Sequence, residues 1–159
     1  MPFAVASAFR IEAIEPRRGH DHHLAVVVRL GDVEQRQVVA RDVLRLADHV
    51  MRRGDDQVEL GVIGYLQIPS GDLRKAIRRL GKHVVSGGHL FGVWHARANL
   101  KGGFGGPRDP RVLPSVGFLK RALWGQGFDL IECTLRDGQI QTKEGLKPSI
   151  TVVLLARKR

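Results

Sequence analysis

Residues 68–96, IPSGDLRKAIRRLGKHVVSGGHLFGVWHA, decide how the rest of the chain is read. Pro69 and Ser70 punctuate the entry to a helix, with Ser70 placed as an N-cap whose hydroxyl accepts from an orphan backbone N–H of the first turn. Leu73, Ala76, Ile77, Leu80 and Val84 recur at helical spacing and form one apolar stripe, while Arg74, Lys75, Arg78, Arg79 and Lys82 point away from it. Gly87-Gly88 closes the helical segment as a turn. His89 to His95 (HLFGVWH) then reads as a strand covered on both faces. Helix, tight turn and buried strand together specify an α/β layered domain.

Working outward, Val58 to Leu66 (VELGVIGYL) is an apolar, β-branched run bounded by Asp55-Asp56 and Pro69. It is a second buried strand, and the helix that follows makes a strand, helix, strand unit. Such crossovers are right-handed and place their two strands parallel in one sheet. Further upstream, Phe9 to Ile14 alternates apolar and polar residues, and Leu24 to Leu30 (LAVVVRL) is rich in β-branched residues, so both read as strands. Gly31-Asp32 supplies a turn, and Glu34 to Ala40 is expected to pair back as an antiparallel hairpin. Asp42 opens a helix in which Val43, Ala47, Val50 and Met51 share a face, with Gly54 as its stop.

Downstream, Ala98 to Arg111 (ANLKGGFGGPRDPR) has four glycines and two prolines in fourteen residues, too many for a regular element. It reads as a lid or connector. The phosphate-loop pattern GxxxxGK[ST] is absent, and GxGxxG does not follow a strand. Pro114 opens a second helix with Val116, Leu119, Ala122 and Leu123 spaced to pack, ending near Gly125 to Gly127. Phe128 to Leu135 and Ile150 to Ala156 are two more strands. The segment between them, RDGQIQTKEGLKPS, holds no helix long enough for a crossover, so these strands are expected to be antiparallel neighbours.

Composition narrows the function classes. The 159 residues are one ordinary domain, with 26 Lys plus Arg against 16 Asp plus Glu and a formal charge of +10. That balance favours a phosphate-bearing partner through long-range attraction, although the charge is spread rather than gathered in a basic tail. The single cysteine, Cys133, cannot form an internal disulfide, which makes a reducing cytoplasm the default compartment. No apolar run reaches the roughly 20 residues that span a bilayer, and MPFAVASAFR lacks the pattern of a signal peptide. The run PRRGHDHH brings His20, Asp21, His22 and His23 together, residue types that bind zinc. Adjacent loop residues seldom converge on one ion, so no metal is assigned.

From about Gln35 to Arg159 the chain resembles the C-terminal two-thirds of a class I S-adenosylmethionine-dependent methyltransferase. The residues that carry the resemblance are Val38-Val39-Ala40-Arg41-Asp42, Asp56 to Leu66, Leu73 to Val84, Ser86-Gly87-Gly88, His89 to Ala96, Gly127-Phe128 and the two C-terminal strands. The resemblance implies a three-layer, Rossmann-like α/β fold with a mostly parallel sheet and a C-terminal antiparallel hairpin, incomplete or divergent at the N-terminus. It divides the single domain into an atypical β segment, 1–34, and a methyltransferase-like region, 35–159.

The resemblance also implies a cofactor, S-adenosylmethionine, and a set of site residues. Asp42 matches the acidic position near the adenine, and Gly64, Tyr65 and Leu66 match the segment that lines the methyl-transfer cleft. Trp94 and His95 stand at the end of the next strand, Trp94 facing the substrate cleft and His95 serving as base. Each has a plainer role open to it: Asp42 as a helix cap, Tyr65 and Trp94 as packed aromatics, His95 as a surface histidine. The sequence departs from the family in one respect. No acidic-x-Gly-x-Gly-x-Gly turn precedes Asp42, since RRGHDHH and RLGDVEQ hold one glycine each. For the second acidic position, which holds the ribose, only Asp32 and Glu34 are nominal matches. The methyl acceptor is unspecified. The rival reading is a non-enzymatic, basic nucleic-acid-binding or structural protein.

Overall fold

The computed structural model describes residues 9–14, 24–30 and 57–159 of the chain. Strands β1 (Phe9–Ile14), β2 (Leu24–Leu30) and β3 (Val58–Gly64) lead to helix α1 (Ser70–His83) and strand β4 (Val84–His95). A short helix α2 (Asn99–Gly102), a 3₁₀ turn (Pro110–Val112) and helix α3 (Val116–Leu123) follow, and β5 (Phe128–Thr142) and β6 (Gly145–Lys158) end the chain. The six strands form one sheet in the order β1-β2-β3-β4-β6-β5.

The strand, helix, strand unit has the expected form: β3 and β4 are parallel neighbours joined by α1. The sheet as a whole is mixed, which corrects the expectation of a mostly parallel one. Only β2·β3 and β3·β4 are parallel, while β1·β2, β4·β6 and β5·β6 are antiparallel. The reason is the connections. β1 and β2 are joined by too few residues for a crossover, and β6 returns from a hairpin to insert beside β4. The strand expected at 34–40, its hairpin with β2, the helix expected over 43–52, Asp32, Glu34 and Asp42 all lie outside the described residues.

Helices α1 and α3 cover one face of the sheet. Leu73, Ile77 and Leu80 from α1 and Phe118, Leu119, Ala122 and Leu123 from α3 pack on Ile63, Leu90, Trp94, Val152, Leu154 and Ala156. The sheet residues belong to one face because they are partners in register, Ile63 with Gly92 and Gly92 with Leu154. Gly61 accommodates this layer directly, since a Cβ there would meet Leu80 Cγ at 2.9 Å.

Several boundaries differ from the sequence reading: α3 starts at Val116 and not at Pro114, and the segment 98–111, read as a connector without regular structure, holds α2 and the start of the 3₁₀ turn. Pro69, not Ser70, is the residue before the helix, and its carbonyl accepts from Leu73 N at 2.9 Å. Ser70 is the first helical residue, and its hydroxyl donates to the Arg111 carbonyl at 3.2 Å. Gly87-Gly88 is not the end of the helix but part of β4. Val58 pairs with Val84 and Leu60 with His89, so the extra residues of β4 form an irregularity there. Gly87 takes φ +83, and a Cβ on Gly88 would stand 2.8 Å from the Glu59 carbonyl oxygen. Only glycine allows that backbone approach. Val84, placed on the helix stripe by its spacing, opens the strand and is buried.

The cap of α3 is built by Ser115, whose hydroxyl accepts from Phe118 N at 3.2 Å. Ser115→Ala is expected to cost about 1 kcal/mol of stability, whereas Ser70→Ala, which removes no cap, is expected to cost less than about 0.5 kcal/mol. Paired urea titrations check both, and equal losses would contradict the assignment of caps.

The C-terminal strands are antiparallel as expected, but much longer than the apolar runs that signalled them. Asp137 and Gly138 pair with Ile150 and Ser149 inside the ladder, and the turn falls at Lys143-Glu144 between Thr142 and Gly145. Pro148 is tolerated because β4 ends at the pair His95 and Thr151, so the missing N–H of Pro148 breaks no bond to β4.

Candidate functional site at the carboxyl ends of β3 and β4

Ligands of open α/β sheets lie outside the carboxyl ends of parallel strands. At that edge Tyr65, the residue after β3, has φ +53, and the Tyr65 amide donates to the Val93 carbonyl at 2.7 Å. A tyrosine in the left-handed region is uncommon, and the conformation turns the chain sharply off the sheet. Leu66 and Ile68 then drop into the core while the Tyr65 ring stays 40% exposed. The ring stands 5.1 Å from the His95 imidazole, centroid to centroid, with 49° between the planes.

Gln67 ties this edge together. Its Oε1 accepts from the His95 amide at 3.0 Å, and its Nε2 donates to the Val112 carbonyl at 2.8 Å. The side chain therefore links the segment after β3 to the last residue of β4 and to the 3₁₀ turn. The glycine-rich loop after α2 covers His95. Gly106, at φ +72, lies so close that a Cβ there would come 2.5 Å from His95 Cγ, and Gly105, at φ +78, would meet Ile140 Cδ1 at 2.8 Å. Glycine at these positions lets backbone lie flat against the imidazole and the hairpin.

Asn99 holds that loop. It is 2% exposed, its Oδ1 accepts from the Ile150 amide at 2.7 Å, and its Nδ2 donates to the Gly105 carbonyl at 2.8 Å. Phe104 N donates to the Pro148 carbonyl at 2.7 Å. Where β4 stops, the loop takes its place as hydrogen-bonding partner of β6. In the same loop Arg111 donates to both Asp109 carboxylate oxygens and holds that carboxyl below its usual range. Burial pushes the Cys133 thiol up, so it is a poor nucleophile in this setting.

The structure thus brings together Gly64, Tyr65 and His95 of the residues singled out from sequence. Leu66 is buried in the core, and so is Trp94, at 0% exposure among the sheet and helix side chains. Trp94 alternates with His95 along β4 and so faces the helices, while His95 faces the other way. Asp42 lies outside the described residues, as do His20, Asp21, His22 and His23. Gln67, Asn99 and the Gly105-Gly106 pair join the site without being marked by the sequence reading. A signal for Gln67 was present in LQIP, a polar residue flanked by two apolar ones. Asn99 carried none, because the amide it satisfies in β6, Ile150, lies 51 residues away. Among the described residues no group of three or more His, Cys, Asp or Glu converges. No described helix is long and apolar enough to cross a membrane.

No protein-family model and no curated protein sequence matches this chain. Solved structures do. TehB from Haemophilus influenzae is similar over 75% of this chain and 46% of its own, with 13% identity and a TM-score of 0.51. A SAM-dependent methyltransferase from Methanosarcina mazei covers 65% of this chain and 60% of its own, with 14% identity and a TM-score of 0.45. An S-adenosylmethionine-dependent methyltransferase from Clostridium acetobutylicum covers 74% and 72%, with 11% identity and a TM-score of 0.44. At these identities the likeness concerns the fold, and it rests on TehB. The chain spans less than half the length of TehB.

Proposed function

We propose that this chain is an S-adenosylmethionine-dependent methyltransferase or a degenerate relative of one, with its reaction edge at Gly64, Tyr65 and His95. The observation that carries the reading is the exposed Tyr65 ring beside His95, at the carboxyl ends of two adjacent parallel strands joined by a helix. These residues suit the sulfonium half of the cofactor. An exposed tyrosine face attracts a cation, and Gly64 adds no side chain of its own beside it. The carboxylate of the covering loop, Asp109, is taken up by Arg111. The resemblance gives the adenine side to Asp42.

When bound, the cofactor supplies an electrophilic methyl group. The chain contributes orientation and proton transfer. Gln67 fixes the backbone at His95, Gly105 and Gly106 limit the space above the imidazole, and His95 accepts the proton of an O–H or N–H acceptor. Leu66 anchors the turn beneath Tyr65 by burying its side chain.

Calorimetric titration with S-adenosylmethionine and its demethylated product tests the reading. Binding of both is expected, with Tyr65→Ala weakening it by about 1 kcal/mol and His95→Gln leaving it within about two-fold, since a base acts on the acceptor. No heat and no thermal shift at millimolar ligand would remove the enzyme reading.

A further inference from the structure

The helical layer is strongly basic on its outer side. Helix α1 exposes Arg74, Lys75, Arg78, Arg79 and Lys82 against one acidic residue, Asp72, which is paired with Lys75 at 3.1 Å. Helix α3 adds Lys120 and Arg121 and contains no acidic residue. The two helices pack on each other, and two arginines lie along their seam. The Arg74 guanidinium sits over the Phe118 ring, 5.7 Å from its centroid, and Arg78 Nε donates to the Ala122 carbonyl at 3.4 Å. Both residues are exposed and each guanidinium is tethered by one contact, which costs less side-chain entropy on binding than a free lysine does.

Two residues beyond Ala122, Trp124 caps α3, and this residue is 83% exposed. Large aromatic side chains seldom stand so far out of a fold without a partner. The backbone around it is held, with Trp124 N donating to the Lys120 carbonyl at 3.2 Å and Lys158 Nζ donating to the Gln126 and Gly81 carbonyls at 2.8 and 3.0 Å. These last bonds also bring the end of α1 against the turn after Trp124. The exposed indole therefore follows Ala122, whose carbonyl accepts from Arg78, three residues after Arg121, at the end of α1 that carries Lys82.

We infer that this face binds single-stranded nucleic acid, with Arg74, Arg78, Lys82 and Arg121 on phosphates and Trp124 stacked on an unpaired base. A cationic groove together with an aromatic platform is the chemistry that single strands require. A duplex keeps its bases stacked and offers the indole no face. An anionic bilayer takes the cations but also needs a row of apolar side chains to insert; over 70–83 and 116–123 the two helices expose none, and the exposed Leu130, Ile131 and Leu135 belong to β5 rather than to the basic helices. The patch runs along α1 from Arg74 to Lys82, and Trp124 stands beside the end of α1 away from Tyr65. A 14-residue helix is roughly 20 Å long, so the stacking platform stands apart from the reaction edge and does not depend on the proposed methyl transfer.

The test uses the full chain with labelled oligouridylate and oligothymidylate, the matched duplex, and phosphatidylserine-containing vesicles. Oligouridylate or oligothymidylate is expected to change Trp124 emission on binding, an assignment the second tryptophan does not confuse because it is buried. Affinity is expected to fall roughly 50-fold for a four-fold rise in salt if about four cations meet phosphates. Trp124→Ala is expected to weaken binding roughly 5- to 100-fold, with Trp124→Phe retaining most of it, and Arg78→Glu with Arg121→Glu is expected to flatten the salt dependence. Binding unchanged in Trp124→Ala, equal affinity for the duplex, preference for the vesicles, or no binding at low salt would each overturn the inference. None of those results bears on cofactor binding.

Discussion

Asn99→Ala is expected to lower the unfolding free energy by about 3 kcal/mol, since it leaves buried backbone groups without partners. The side chain is nearly enclosed, and it satisfies the Ile150 amide and the Gly105 carbonyl together. Alanine removes both bonds, and it leaves unfilled the space that the amide occupies against Gly103. Asn99→Asp keeps the acceptor for Ile150 and loses the donor to Gly105, so it should lie between alanine and wild type. Urea denaturation of the three proteins measures this directly. A loss below about 1 kcal/mol for alanine would mean that water replaces the amide. The substitution should also loosen the cover over His95, because Gly105 and Gly106 are held there through Asn99.

Trp94→Ala is expected to cost about 3–5 kcal/mol, the range for removing a large aromatic from a packed core. The ring is fully buried and lies so close over Gly92 that a Cβ there would overlap it. Its indole N–H has no hydrogen-bond partner among the described residues. Trp94→Phe therefore deletes an unpaired donor along with packing volume, and it is expected to cost only about 1–2 kcal/mol. The pair of variants separates two roles for this residue. A core tryptophan predicts stability loss in denaturant with ligand affinity unchanged in the phenylalanine variant. A lining residue predicts lost affinity at nearly constant stability.

Trp94 and His95 illustrate what a sequence withholds. Both were singled out as a pair at the end of one strand, yet adjacent strand residues point to opposite faces. One had to enter the core if the other faced out, and the HLFGVWH run is apolar on both faces, so its pattern does not say which. The helix layer decided it, because α1 and α3 cover the face that carries Leu90, Gly92 and Trp94. Tyr65 and Leu66 divide in the same way. The positive φ at Tyr65, which keeps its ring at the edge, is a backbone conformation that nothing in VELGVIGYL signals.

Local pattern alone determined the strand, helix, strand unit over 58–95, the packing helix at 116–123 and the antiparallel pairing of the last two strands. Those features depend on apolar periodicity and connection length, which act over a few residues and are written in order along the chain. The mixed sheet, the length of the C-terminal hairpin, the use of Gly87-Gly88 inside a strand and the glycine loop laid over His95 were decided by tertiary structure. Each depends on which backbone groups meet across large separations, such as Asn99 with Ile150 or Gln67 with Val112. A buried N–H must find a partner wherever one stands in space, and distance along the chain does not enter into that requirement.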